Sequence, residues 1–153
     1  MTKTPQLRRA GPADAAAARH LTRAAYAKWV PIIGREPLPM RADYDRAMVE
    51  HRVDLWEEAG ELLALIETVV EADHLLIENL AVRPDCQGRG LGDALLRHAE
   101  TLARALGFQE LRLYTNAAFA GDVAFYARRG YLETERAAIP PGSVTVFMRK
   151  RIG

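Results

Sequence analysis

Polar and apolar positions recur along this chain with two periods, and the switches between them divide it into elements. Gln6-Leu7-Arg8-Arg9-Ala10 reads as a short first strand, which Gly11-Pro12-Ala13-Asp14 breaks as it opens a helix. From Ala15 to Val30 the chain is alanine-rich, and Leu21, Ala24, Ala25 and Lys28 or Trp29 give it one mostly apolar face. Three prolines and Gly34 predict that Pro31 to Met40 is irregular. Its apolar content suits a segment that packs over the core or covers a pocket. Asp43 is placed to cap a second helix running to about His51. Strands are expected at Val53–Glu57 and Glu61–Val70, joined by a Glu58-Ala59-Gly60 turn, and at Leu75–Val82.

After that strand Leu91, Leu95, His98, Leu102 and Leu106 recur at helical spacing, and Gly107 is a good stop. Glu110–Thr115 follows as a strand. A right-handed crossover would set it parallel and adjacent to Leu75–Val82. A helix over Phe119–Arg129 ends at Gly130. Two last strands, Tyr131–Arg136 and Ser143–Lys150, are joined by an Ile139-Pro140-Pro141-Gly142 turn. The expected order is β-α-α-β-β-β-α-β-α-β-β: an α/β (α+β) chain with one mixed, twisted sheet of about seven strands, four helices, and a single domain over residues 1–153.

Between the Leu75–Val82 strand and its helix lies Gln87-Gly88-Arg89-Gly90-Leu91-Gly92. Three glycines in five residues remove the Cβ atoms that would keep an anion from the backbone. The first donors of the following helix lack partners, and its dipole adds positive charge. A phosphate or pyrophosphate suits that place, with Arg89 able to add a formal charge. No Lys-Ser or Lys-Thr pair follows the glycines, so this is not a P-loop. Asp93 stands where a dinucleotide fingerprint needs a third glycine or alanine.

Composition narrows the classes further. Lys plus Arg number 21 against 20 Asp plus Glu, which argues against nucleic acid as the main partner. No apolar run is long enough for a membrane span or signal peptide, and the single Cys86 suits a reducing compartment, so the expected address is the cytoplasm. His20, His51, His74, His98 and Cys86 are too scattered for a metal signature, and no hydrolase triad or nucleophile elbow appears.

The loop, with the strand before it and the helix after it, resembles the acyl-CoA-binding signature of the GNAT superfamily of N-acetyltransferases. That signature is Gln or Arg, two residues, Gly, one residue, then Gly or Ala. Gln87, Gly90 and Gly92 carry it here. Asn116 and the Phe125-Tyr126…Arg129-Gly130-Tyr131 spacing extend the resemblance over nearly the whole chain. It implies acetyl transfer from acetyl-CoA to a primary amine of a small molecule or peptide, by direct attack in a ternary complex.

The resemblance also distributes roles. The backbone of Gln87, Gly88, Arg89, Gly90, Leu91, Gly92 and Asp93 would hold the pyrophosphate. Main-chain groups of Leu80, Ala81 and Val82 would pair with the pantetheine arm, an amide near Ala81 or Val82 would polarise the carbonyl, and Asn116 would steady the arm. Tyr126 is the expected general acid, since a phenol with pKa about 10 can protonate a thiolate near 8.5, and Tyr131 is read as structural. Glu78, sharing a strand face with Leu76, Leu80 and Val82, is the candidate base or an arginine's ion-pair partner. Trp29, Arg35, Glu36, Met40 and Tyr44 are candidates for the acceptor pocket. Many relatives pair as homodimers. A non-catalytic acyl-CoA sensor or interaction module is the competing reading.

Overall fold

Backbone hydrogen bonding gathers the alternating segments into one mixed sheet. The computed structural model describes residues 5–139 and 143–153. Its strands are β1 (Gln6–Arg9), β2 (Arg52–Glu58), β3 (Glu61–Val70), β4 (Leu75–Val82), β5 (Glu110–Asn116), β6 (Leu132–Ile139) and β7 (Ser143–Arg151), in the order β1-β2-β3-β4-β5-β7-β6. Every neighbouring pair is antiparallel except β4 with β5, where the expected crossover through a helix makes them parallel.

The helices are α1 (Ala15–Tyr26), α2 (Val30–Ile33), α3 (Leu38–Arg41), α4 (Tyr44–Glu50), α5 (Leu91–Ala105) and α6 (Ala120–Arg128). Apolar residues of α1 and α4 pack with Val53, Leu55, Leu65 and Ala81 on one sheet face. Those of α5 pack with Ile66, Ile77, Leu111 and Leu113 on the other, and α6 adds Val123, Phe125 and Tyr126 there. Tyr131 is 1% exposed, in keeping with a structural phenol. No helix among the described residues is long and apolar enough to cross a membrane.

Three expectations are corrected. The proline-rich segment is not wholly irregular: α2 and α3 are single helical turns with Pro31 and Pro39 in their first turns, where a missing N–H costs nothing. Six α-helices, not four, therefore stand among the described residues. The first helix also stops at Tyr26 and tightens into a 3-10 turn over Ala27–Trp29. Pro140, Pro141 and Gly142 of the expected last turn lie outside the described residues.

Two irregularities position everything that follows. Between β3 and β4, Glu67 opposes Asn79 and Thr68 opposes Ile77, so Glu78 is the extra residue of a bulge. Between β4 and β5, pairing extends only from Leu75–Leu111 to Ile77–Leu113. Beyond it the strands part, while β5 stays paired with β7 as far as Asn116.

A buried charge cluster pins α5 to the sheet. Asp54 on β2 is 2% exposed; Arg52 Nε donates to it at 2.9 Å and His98 Nε2 of α5 lies 3.3 Å away. Burial alone would raise the Asp54 carboxyl, but the contacts from His98 and Arg52 outweigh it and hold the group below the usual carboxylate range. A depressed carboxylate contributes stability above its unfolded pKa and loses it as pH falls through the folded one. Stability should therefore drop as pH falls below about 4, and Asp54→Asn should flatten that drop while costing about 1–3 kcal/mol at pH 7. Urea unfolding between pH 3 and pH 7 measures both effects.

Candidate functional site

The loop after β4 is built for close approach to its backbone. A 3-10 turn over Pro84–Cys86 ends β4, and Gly90 caps α5 at φ +84°, a left-handed conformation that side chains with a Cβ rarely take; Gly88 has the same φ. The first helical bond runs from Ala94 N–H to the Gly90 carbonyl at 3.0 Å. The N–H groups of Leu91, Gly92 and Asp93 thus precede the ladder at the positive end of a 15-residue helix. A Cβ on Gly92 would stand 3.0 Å from the Phe125 ring, so this glycine lets α6 close on α5. The Gln87 amide folds back, Nε2 donating to the Val82 carbonyl at 3.2 Å while Oε1 accepts from Lys28 Nζ at 3.2 Å.

Arg89 has an acidic partner of its own. Its guanidinium is held by both oxygens of Glu58, at 2.9 and 3.0 Å. Lys28, Arg128 and Arg129 stand at the cavity. Arg129 is partly committed, since Nε donates to Asp93 at 3.1 Å and Nη1 to the Phe125 carbonyl at 2.9 Å.

The cavity under this loop has a volume of about 560 Å³ and reaches from Gly88 and Gly90 past Leu80 and Val82 to Tyr26 and Tyr126. Burial pushes the Tyr126 hydroxyl well above the ordinary phenol range, and the Asp122 and Tyr131 groups add to the shift. The phenol stays neutral, a hydrogen donor in the cavity wall. Asp122, one helical turn before it, is raised by burial and drawn back by Lys28. At Gly88 and Gly90 the space a Cβ would occupy is open, with nothing within 4 Å. Unpaired amides, that open backbone and flanking cations fit a diphosphate followed by an extended arm.

A second cavity, of about 580 Å³, opens beside α4. The bulge decides what faces it. Leu80 and Val82 pack against the cluster under α5, whereas Glu78 turns with Asn79 toward α4. The expectation that Glu78 shares the Leu80 and Val82 face is thus overturned by the extra residue, which breaks the strand's alternation. Glu78 Oε1 accepts from the Tyr114 hydroxyl at 2.8 Å, not from an arginine. Burial, with Glu78 second, raises the Tyr114 phenol above its ordinary range. Glu67 and His51 complete the polar wall, His51 Nδ1 lying 2.6 Å from Glu67 Oε2.

Asn79, 3% exposed, stands between the two cavities. Its Oδ1 accepts from Tyr26 Oη at 3.0 Å, and its Nδ2 donates to Thr22 Oγ1 at 3.2 Å and Tyr44 Oη at 3.3 Å. Burial pushes the Tyr44 phenol up to about 12, with the Thr22 contact opposing and Glu67 and Glu78 reinforcing it.

The expected acceptor-pocket residues do not assemble in one place. Tyr44 lines the second cavity, but Trp29 lines the first and stacks on Phe119 with centroids 4.5 Å apart. Met40 is 4% exposed in the core. Glu36 accepts from Arg23 at 2.5 Å, and Arg35 donates to Ser143. Each short turn of the proline-rich segment faces a different neighbour, so sequence proximity does not become spatial proximity. Ala81 is 1% exposed, packed toward α1 and α4, which leaves its backbone as the part able to serve a ligand. Asn116 Oδ1 accepts from Ala118 N–H at 2.9 Å, closing the turn after β5.

Sequence reasoning missed Tyr26, Lys28, Glu67, His51 and Tyr114 as wall residues. One signal was available: Glu67 is a carboxylate set inside the apolar stretch of β3 that follows Glu61. The others depend on the bulge and the parting of the strands, which no periodicity shows.

Comparison with known proteins gives the chain a family. Residues 17–131 match the family model of the acetyltransferase (GNAT) family. The chain is 40% identical over 87 residues to mycothiol acetyltransferase of Streptomyces coelicolor, covering 53% of this chain and 27% of that protein. It is 36% identical over 74 residues to the ribosomal protein bS18-alanine N-acetyltransferase of Escherichia coli, covering 48% of this chain and 50% of that one. The match thus spans a quarter to a half of these relatives' lengths. The fold superposes on the PaiA N-acetyltransferase of Thermoplasma acidophilum, solved in complex with coenzyme A, with a TM-score of 0.81 at 18% identity over 97% of this chain and 99% of that one. Signature loop, sheet order and family match agree: this chain belongs to the GNAT acetyltransferase family.

Proposed function

We propose that this chain transfers the acetyl group of acetyl-CoA to a primary amine of a small molecule or peptide, by direct attack in a ternary complex. The observation that carries the reading is the parting of β4 from β5 beyond Ile77 and Leu113. It leaves one backbone edge of β4 without a strand partner, with a cationic cavity on one side and a carboxylate-bearing cavity on the other.

In this reading the amides of Leu91, Gly92 and Asp93, with the turn through Gln87, Gly88, Arg89 and Gly90, hold the diphosphate. Lys28 and Arg128 balance its charge. The free edge of Leu80, Ala81 and Val82 takes the pantetheine arm as an added strand, and Asn116 would serve it through Nδ2. An amide near Ala81 or Val82 meets the thioester oxygen as it gains charge. The bound thioester supplies the activated acyl group. Tyr126 presents its proton to the departing sulfur. Glu78 takes the proton that nitrogen sheds as the new C–N bond forms.

The two curated relatives are named for a small molecule and for a protein alanine, which supports an amine acceptor of either kind. The same reading treats residues 1–153 as a single domain acting in the cytoplasm, without metal or nucleic acid, and includes a homodimer.

Calorimetry should show heat for coenzyme A, weakened about tenfold in Gly90→Ala because a Cβ at positive φ costs about 1–2 kcal/mol. No heat for the unaltered protein would sink the reading. Thiol release from acetyl-CoA with a panel of amines and alanine peptides should fall about 10²-fold in Tyr126→Phe, with coenzyme A affinity unchanged. Binding without turnover of any acceptor would make the chain a sensor.

A further inference from the structure

The cavity beside α4 holds a titratable pair that the roles above leave unused. His51 sits at the C-terminal end of α4, and its Nδ1 contacts Oε2 of Glu67 on β3 at 2.6 Å. The Glu67 side chain is 6% exposed and that of His51 29%, so the carboxylate is shut in while the ring reaches water. Both line the cavity that contains Glu78. A carboxylate only accepts, so with Glu67 ionised Nδ1 carries the hydrogen and Nε2 keeps its lone pair. Burial pushes the Glu67 carboxyl up, the His51 contacts pull it back and the like charge of Glu78 adds to the rise. An imidazolium beside it would relieve that strain of charge.

Amide formation from an ammonium releases two protons from one nitrogen. The first must leave before attack, because an ammonium has no lone pair; the second leaves as the amide forms. Resting on the acetyltransferase reading, Glu78 serves the second. We propose that His51, oriented by Glu67, removes the first and passes it to water. The N–H bond of the bound ammonium breaks and its electron pair stays on nitrogen. An N–H bond forms at His51 Nε2, and the imidazolium then loses that proton to solvent at the cavity mouth and returns neutral. Glu67 is a positioning residue that fixes the tautomer and stabilises the charged ring.

The other charged groups around the cavity do not compete for this task. Arg46 Nε is bound to Glu50 at 2.8 Å, and Asp43 caps α4 by accepting from Arg46 N–H at 3.1 Å. Arg41 cannot accept a proton, and the Tyr114 hydroxyl is given to Glu78.

The test compares two acceptors of similar shape, benzylamine, an ammonium at neutral pH, and aniline, already neutral there, by thiol release from acetyl-CoA. His51→Gln should lower kcat/KM for benzylamine about 10²-fold and leave aniline nearly unchanged. Glu67→Gln should act in the same direction with a smaller loss. Glu78→Gln should slow both acceptors alike. Added imidazole should restore benzylamine turnover to His51→Ala. Equal losses for both acceptors in the His51 and Glu67 variants, with native near-UV circular dichroism, would make the pair structural and overturn the proposal, as would no loss with either. If His51→Gln fails to fold, Glu67→Gln decides. An unaltered protein that turns over neither amine, nor an alanine peptide, removes the underlying reading instead, and the proposal with it.

Discussion

Three residue pairs hold β4 to β5, and the chain's chemistry follows from there being no more. A parallel contact from Leu75–Leu111 to Ile77–Leu113 is enough to keep the sheet continuous. Past it each strand is held only by its outer neighbour, β4 by β3 and β5 by β7. The gap is therefore a fixed feature of two well-paired half-sheets, not a frayed end. Backbone groups along it are obligatory hydrogen-bonding groups with no strand opposite. Water or an extended ligand must satisfy them, and an extended ligand is then held in one orientation. Glu78 and Tyr114, the first residues beyond the last pair on each strand, bridge the opening at 2.8 Å.

The bulge at Glu78 and the parting of the strands act together. Strict alternation back from Leu80 and Val82 would turn Glu78 toward α5 and bury a carboxylate in an apolar cluster, at a cost that only pairing could offset. With the extra residue, Glu78 and Asn79 both turn toward α4, while Leu80 resumes the face that lines the other cavity. Consecutive residues thus address opposite sides of the sheet. Asn79 gains three partners from α1 and α4, which satisfies a buried amide and ties the helices to the point where the strands separate.

Much of this was legible in the sequence, and the reason differs by element. The seven strands and α5 were readable because β3 and β4 are nearly continuous apolar runs and the Leu91–Leu106 stripe keeps one helical period, and Gly107 and Gly130 end helices as composition predicts. The loop was readable because glycine spacing reports backbone conformation directly: Gly88 and Gly90 need positive φ, and Gly92 has Phe125 against it. Side-chain pairings were not readable. Arg89 looked available until Glu58, 31 residues earlier, was placed beside it. Asn116 Oδ1 closes its own turn, a contact that its place after β5 also suits. The proline-rich segment misled most, since proline forbids a helix interior but suits a helix start.

Net charge hid the most functional contrast. A formal charge of +1 suggests a molecule with no electrostatic preference. The fold instead biases the two cavities toward opposite signs. Lys28, Arg128 and Arg129 outnumber Asp93 and Asp122 at the cavity that ends in free amides and a helix N-terminus. Asp43, Glu50, Glu67 and Glu78 outnumber Arg41 and Arg46 at the one beside α4, and Arg46 is already paired with Glu50. Opposite fields on the two sides of one gap suit a polyanion entering from one side and a cation from the other. Their mutual attraction through the gap would lower the cost of bringing both together. Summed charge is a property of composition; which face each charge occupies is set by strand alternation and by the single residue that interrupts it.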